Sequence, residues 1–200
     1  MRPNWILAFD TSAAHCAAAL LCGDRVILRH EDMAKGQAER LMVLLEEMLA
    51  EAGIGWSDLA AIGVGTGPGN FTGVRISVAA ARGLALGLGI PAVGVTALEA
   101  AAFGAKRPVR VVIDARRDEV YLQDFNDHGP GLAQLISAQN MQVAGDVIGF
   151  GGIAPMYLIA EAIARIAAQQ FGRPQSRPAP FYLRGADAAP PTDPPPVILP

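Results

Sequence analysis

Between Gly63 and Arg75 the chain reads Gly-Val-Gly-Thr-Gly-Pro-Gly-Asn-Phe-Thr-Gly-Val-Arg, with five glycines in thirteen residues. The buried-strand run Leu59–Gly65 leads into this stretch. A long apolar segment, Phe71 to about Leu88, leads out of it, and Asn70 stands where a helix N-cap belongs. Strand, tight loop and helix in that order predict α/β architecture. The loop itself supports two readings equally. Unpaired amides at a helix N-terminus cradle anions, or the glycines let helix and sheet pack closely. The standard phosphate templates do not fit. Asn70 occupies the third position of G-x-G-x-x-G counted from Gly65 and Gly67, and no Gly-Lys-Ser/Thr is present.

The helix after the loop constrains the fold further. Its only charges are Arg75 and Arg82, seven apart on one face, and Gly73, Ser77, Ala80, Ala81 and Gly83 leave much of its surface flat. A helix apolar almost all round must be covered by its own sheet and by something else. Its companion is predicted at Ala38–Ala52, where Ala38, Leu41, Met42, Leu45, Met48, Leu49 and Ala52 recur at helical spacing until Gly53.

Around this pair the pattern repeats. Trp5–Asp10 reads as an apolar strand stopping at Asp, and Ala17–Leu21 with Arg25–His30 reads as a hairpin about Gly23-Asp24. Pro91–Val95 reads as a strand, with Thr96 capping a helix through Phe103. Val109–Asp114 is again a strand ending in Asp, paired with Glu119–Phe125, and Leu132–Ile136 reads as a third strand. Val147–Gly152 is a strand running into glycines, and Pro155–Gln170 an amphipathic helix. The repeated strand–Asp–hairpin predicts a structural duplication. Lobes at 1–104 and 105–172 follow, then a Pro-rich tail at 173–200, since 9 of the 27 residues from Pro174 are proline.

Composition excludes several classes. With 52% hydrophobic and 18% charged residues among 200, the chain has material for a core and is not disordered. Its 36 alanines favour closely packed helices. A net charge of −3 opposes wholesale binding to nucleic acid, so any contact with RNA would be local or borrowed. No leader is expected from Met1-Arg2-Pro3-Asn4 and the short run Trp5–Phe9. Gly83–Leu98 is broken by Pro91 and glycines, so no membrane association is expected. Cys16 and Cys22 lie six apart in one strand-like region, too far apart to bridge, which suits a reduced cytoplasmic protein.

Chemistry-bearing patterns are sparse. Asp10-Thr11-Ser12 and Asp114-Ala115-Arg116 end equivalent strands, where aspartates face phosphates through a metal ion or simply form turns. His15, His30 and His128 lack metal-ligand spacing. No Gly-x-Ser-x-Gly elbow exists, and Ser12, Ser77 and Ser137 have no evident base.

Taken together, Ile6–Ser12, the Gly65–Ile76 string, Gly83-Leu84-Ala85, Gly94–Leu98, Ile113–Arg116 with Glu119-Val120-Tyr121, and Pro180–Arg184 resemble the TsaB family, also called YeaZ. The resemblance is continuous over residues 5–125. It implies an α/β, two-lobed actin/Hsp70-like (ASKHA) fold, here with a shortened second lobe. It also implies a role in forming threonylcarbamoyladenosine beside the tRNA anticodon, as a non-catalytic subunit. The implied partners are TsaD, which carries the metal and transfers the group, and the ATPase TsaE. The resemblance leaves monomer and homodimer both open for the chain alone, and tRNA is reached only through the complex. The expected partner interface comprises Leu41, Leu45 and Met48 with Gly73, Val74, Ser77, Val78, Ala81 and Leu84. On that placement Ser77→Arg or Ala81→Arg would leave the monomer folded and abolish pairing. The nucleotide-facing candidates are Asp10, Thr11, Ser12, Gly67, Gly69 and Asp114. No cofactor or metal is expected on the chain alone, with ATP or ADP and Mg at the joint with TsaD. The competing enzyme reading is a small actin-like ATPase or kinase using Asp10 and Asp114.

Overall fold

The computed structural model describes residues 4–141 and 145–184. The first three residues and the remainder of the Pro-rich tail, 185–200, lie outside the described residues, so the expectations there stand apart from the fold.

A first five-stranded sheet has the order β3-β2-β1-β4-β5. It is built from β1 (Trp5–Asp10), β2 (His15–Cys22), β3 (Arg25–Asp32), β4 (Leu59–Gly65) and β5 (Ala92–Val95). The hairpin strands are antiparallel, whereas β1, β4 and β5 run parallel. All six residues of β1 are buried, because both faces of the sheet are covered. Alternate side chains divide between two cores. Trp5, Leu7, Phe9, Cys16, Ala18, Leu20, Ile62 and Val64 point toward α1 (Gln37–Ala52) and α2 (Phe71–Leu88). Ile6, Ala8, Ala17, Ala19, Leu21, Ala61 and Val93 point the other way.

That second face is covered by α4 (Ile159–Gln170), through Ala160, Ile163, Ala164 and Ala167. Alanines on both sides, and Gly63 beneath, let the helix approach closely. A Cβ at Gly63 would stand 2.9 Å from Ile163 Cγ2. This redraws the lobe boundary. The stretch 105–172 was expected to form the second lobe, but its helix completes the first. An amphipathic pattern shows that one helix face is buried and is silent on which sheet buries it. The helix also starts four residues later than the predicted Pro155, and Met156 and Leu158 lie exposed before it.

The second sheet has the order β10-β6-β7-β8, with β9 also paired to β7. Its strands are β6 (Val109–Arg116), β7 (Glu119–Asn126), β8 (Gly129–Pro130), β9 (Gln134–Ser137) and β10 (Val147–Gly149). Here β6 pairs antiparallel with β7 and parallel with β10, as β1 does with β2 and β4. The duplication read from the sequence is therefore present in the topology. One face of this sheet packs Val109, Val111 and Phe125 against Leu98 and Ala102 of α3 (Ala97–Ala102), which is held by a Thr96–Glu99 capping box. The third strand sits two residues later than predicted, and Leu132 is exposed. Both cysteines are free thiols on β2 and contact the same core. Burial raises the Cys16 thiol pKa to about 11.

Candidate functional site

At the end of β1 the Asp10 carboxylate is fully buried. Its Oδ1 accepts hydrogen bonds from the Ser12 amide at 3.0 Å and the Ser12 hydroxyl at 2.9 Å, and lies 2.8 Å from His15 Nε2. Its Oδ2 is buried without a partner and sits against Gly65, where a Cβ would fall 1.8 Å away. The glycine loop closes over the same strand end. A Cβ at Gly69 would lie 2.4 Å from the Ser12 carbonyl oxygen, and one at Gly73 would lie 1.9 Å from that of Thr11. The Asn70 amide donates to the Ser12 carbonyl at 2.6 Å, and the Thr11 hydroxyl donates to the Gly73 carbonyl at 2.6 Å. Asn70 Oδ1 accepts from the Gly73 amide as the N-cap. Of the two loop readings, close packing fits these contacts. The glycines mark where the β1–β2 loop backbone touches the start of α2.

The nucleotide-facing candidates separate accordingly. Asp10, Thr11 and Gly67 are buried and do not reach the cleft between the lobes, which corrects the expectation for those three. The Asp10 carboxylate turns its Oδ1 to Ser12 and His15 and its Oδ2 to Gly65, and Gly67 lies beneath the Phe181 carbonyl. Ser12 and Gly69 remain at the cleft's edge, and Asp114 lines it from the opposite lobe. The cleft encloses about 790 Å³.

One wall of the cleft was not expected from the sequence, because it is the C-terminal segment. The Phe181 amide donates to the Thr66 carbonyl at 2.8 Å, and Tyr182 stacks on Phe71 with ring centroids 4.8 Å apart. Arg75 Nε donates to the Tyr182 hydroxyl at 3.2 Å. Arg184 donates to the Ala115 carbonyl at 3.0 Å and pairs with Glu119. The segment between Pro178 and Arg184 thus bridges both lobes. Its signal in the sequence was Pro180-Phe181-Tyr182-Leu183-Arg184, an aromatic and apolar island inside a Pro-rich stretch.

The expected partner interface is turned inward. Leu41, Leu45, Met48, Gly73, Val74, Ser77, Val78 and Ala81 are buried against the first sheet, and Leu84 is half-buried. The Ser77 hydroxyl donates to the Gly65 carbonyl at 3.1 Å. An arginine at Ser77 or Ala81 would therefore enter the core instead of decorating a surface. When nearly every position of a helix is apolar, spacing does not say which face meets the sheet. The outward faces carry Met42, Val43 and Glu46 on α1, and Ala79, Arg82, Gly83, Leu86 and Gly87 on α2. Val43 is 48% exposed and Leu86 81%. By length and composition alone α2 is also apolar enough to cross a membrane, yet it is seated on the sheet of its own lobe.

Charge ties α1 to β3. Arg40 donates to Glu31 at 2.6 and 2.7 Å and to Glu47 at 2.6 and 2.9 Å. These hydrogen bonds hold both carboxyls below the usual carboxylate range. Among the described residues no three His, Cys, Asp or Glu side chains gather as a metal site would require.

A family model described as "TsaD: tRNA N6-adenosine threonylcarbamoyltransferase" matches residues 30–189. The Escherichia coli "tRNA threonylcarbamoyladenosine biosynthesis protein TsaB" is 36% identical over 132 residues, which cover 64% of this chain and 57% of that protein. The solved structure "YeaZ from Pseudomonas aeruginosa" superposes with a TM-score of 0.73 at 28% identity, over 90% of this chain and all of that one. The chain belongs to the TsaB/YeaZ family. An uncharacterized protein of Mycobacterium tuberculosis is 31% identical over 199 residues, covering 92% of this chain and 94% of that one. The chain spans little more than half the length of the TsaB relatives from Escherichia coli and Haemophilus influenzae that it matches. Its two lobes, each opening with a strand, a hairpin partner and a parallel strand, form the actin/Hsp70-like (ASKHA) fold of this family.

Proposed function

We propose that this chain is a non-catalytic subunit of the system that forms threonylcarbamoyladenosine beside the tRNA anticodon, working in the cytoplasm. Its role is to pair with TsaD through the outward faces of α1 and α2, with TsaE joining the complex and tRNA held by the assembly. The observation that carries this reading is Leu86, an apolar side chain 81% exposed on a helix that also presents Ala79, Gly83 and Gly87 to solvent. Small residues around an exposed leucine permit close helix approach, and burying them removes apolar surface from water. Val43 and Met42 extend that face onto α1. The names of the TsaB relatives support the same pathway. In this reading the chain alone forms a homodimer through the same face. ATP or ADP with Mg sits at the joint with TsaD.

An ATPase working through Asp10 and Asp114 would need both carboxylates in the cleft. Asp10 is sealed behind Gly65, Ser12 and His15, so the scaffold reading stands ahead of it.

The test is nucleoside mass spectrometry on tRNA from cells depleted of this chain. Threonylcarbamoyladenosine is expected to fall and to be restored by the wild-type chain but not by Leu86→Arg. Restoration by Leu86→Arg at wild-type level would refute the placement of the interface, and an unchanged modification level on depletion would refute the function.

A further inference from the structure

The chain crosses between the lobes three times. It leaves the first sheet after β5 and enters α3, whose Leu98 and Ala102 pack on the second sheet. It returns from β10 to α4, which covers the first sheet. These two crossings touch one another. The Phe103 and Tyr157 rings lie 5.6 Å apart, and a Cβ at Gly104 would stand 2.6 Å from Met156 Sδ. Lobes joined along one such contact, and facing each other across an open cleft, are free to swing about it, since relative motion is the default unless a large apolar interface opposes it. The third crossing is the C-terminal segment, and it ties the two lips of the cleft to one another.

The two ends of that segment are held differently. At the first lobe Pro178 is buried beside Gly94, where a Cβ would stand 3.3 Å from Pro178 Cβ. The Phe181 amide is bonded to the Thr66 carbonyl, and Tyr182 is stacked on Phe71 and accepts a hydrogen bond from Arg75 Nε. At the second lobe Leu183 packs against the core around Leu98, Val109 and Phe125. Arg184 donates to the Ala115 carbonyl and pairs with Glu119, a pair whose side chains are 22% and 36% exposed. Arg184 Nε is buried with no acceptor, so this end carries a desolvation cost that works against its grip. The segment therefore lets go of the second lobe first.

We propose that the segment between Pro178 and Arg184 is a latch between the lobes. Its first half stays fixed to the first lobe, and Arg184 closes it by gripping the Ala115 carbonyl and Glu119. When Arg184 lets go, the lobes swing about the contact of Phe103 and Gly104 with Met156 and Tyr157. With the latch closed, the second lobe moves as one body with α2, because Tyr182 is anchored on Phe71 and Arg75 of that helix. The latch makes no use of Leu86 or of the exposed positions around it, so it stands or falls independently of pairing with TsaD.

The test uses the full chain with Cys22→Ser, Ala13→Cys and Asp127→Cys, which puts one exposed thiol on each lobe while Cys16 stays buried. Spin labels on the two thiols report the distance between the lobes by pulsed electron spin resonance. The chain with its latch intact is expected to give one narrow distance. Arg184→Gln is expected to add a second, broader distance and to raise the ratio of open to closed lobes at least roughly tenfold. Glu119→Gln should open them less, because Arg184 keeps the Ala115 carbonyl, and adding it to Arg184→Gln should open them no further. One narrow distance retained in Arg184→Gln would overturn the proposal. So would two distances with the latch intact, or a Glu119→Gln effect undiminished in the Arg184→Gln background. Should Arg184→Gln lose its fold by circular dichroism, Glu119→Gln alone decides. A second distance there supports the latch, and a distribution identical to that of the intact latch overturns it.

Discussion

Replacing Gly73 by alanine separates the two readings of the glycine loop by the sign of a stability change. In an exposed helix that substitution stabilises by up to about 1 kcal/mol through helix propensity. At Gly73 the added Cβ would stand 1.9 Å from the Thr11 carbonyl oxygen, where ordinary contact begins at 3.4 Å. The start of α2 must then retreat by about 1.5 Å from a packed loop, and overpacking of this kind costs about 1–3 kcal/mol. The retreat also breaks the hydrogen bond from the Thr11 hydroxyl to the Gly73 carbonyl, worth about 1 kcal/mol. The net expectation is a loss of about 2–3 kcal/mol. Gly83 in the same helix is the control, because a Cβ there would meet nothing within 4 Å and the residue is exposed. Gly83→Ala should gain up to about 1 kcal/mol. For a chain of this size each kcal/mol moves Tm by about 2–4 °C. Thermal melts of the isolated chain should therefore place Gly73→Ala roughly 4–12 °C below wild type and Gly83→Ala slightly above it. A Gly73→Ala variant as stable as wild type would refute the packing account and return the loop to the anion-cradle reading.

The turn between β6 and β7 offers a second test, since Arg117 there is held at φ 54° and Arg117→Gly should raise stability by about 1 kcal/mol in urea melts. The buried Cys16 thiol, with its pKa raised to about 11, should react with a thiol reagent at pH 8 only as fast as the chain opens, while the partly exposed Cys22 reacts directly. The pair Arg110–Asp124 holds the Asp124 carboxyl below its usual range through hydrogen bonds at 2.6 and 2.8 Å. A carboxyl depressed in the folded state contributes stability above its unfolded pKa of about 4 and loses it as pH falls through the folded value. Asp124→Asn should thus be less stable than wild type at pH 7 by a few tenths of a kcal/mol, after screening of a half-exposed pair, and the difference should close as pH falls through the depressed folded value.

Much of the chain's local order was legible because glycine and asparagine punctuate it. Gly53 ends α1 in the left-handed conformation, Asn70 caps α2, and β4 stops at Gly65 as the pattern indicated. The duplication was legible because an apolar strand stopping at Asp occurs twice. What the pattern could not supply was direction. α2 is apolar almost all round, so the burial of Ser77 and Ala81 and the exposure of Leu86 depended on which flank met β4. α4 showed a buried stripe but not its destination, which is the alanine face around Gly63. The cleft wall was illegible for a different reason. It depends on contacts such as Arg75 to Tyr182, 107 residues apart, and no local rule reports them. Asp10 was ambiguous until His15 and Ser12 were seen to occupy its Oδ1.

Light scattering coupled to size exclusion of this chain mixed with TsaD tests most directly whether the outward faces of α1 and α2 form the pairing surface. The wild type is expected to elute as a one-to-one complex. Leu86→Arg should remain folded and elute apart from TsaD, whereas Ser77→Arg should lose its own fold because a guanidinium without a partner enters the core. A one-to-one complex that survives Leu86→Arg and Val43→Arg together, or a wild-type chain that never joins TsaD, would contradict the account.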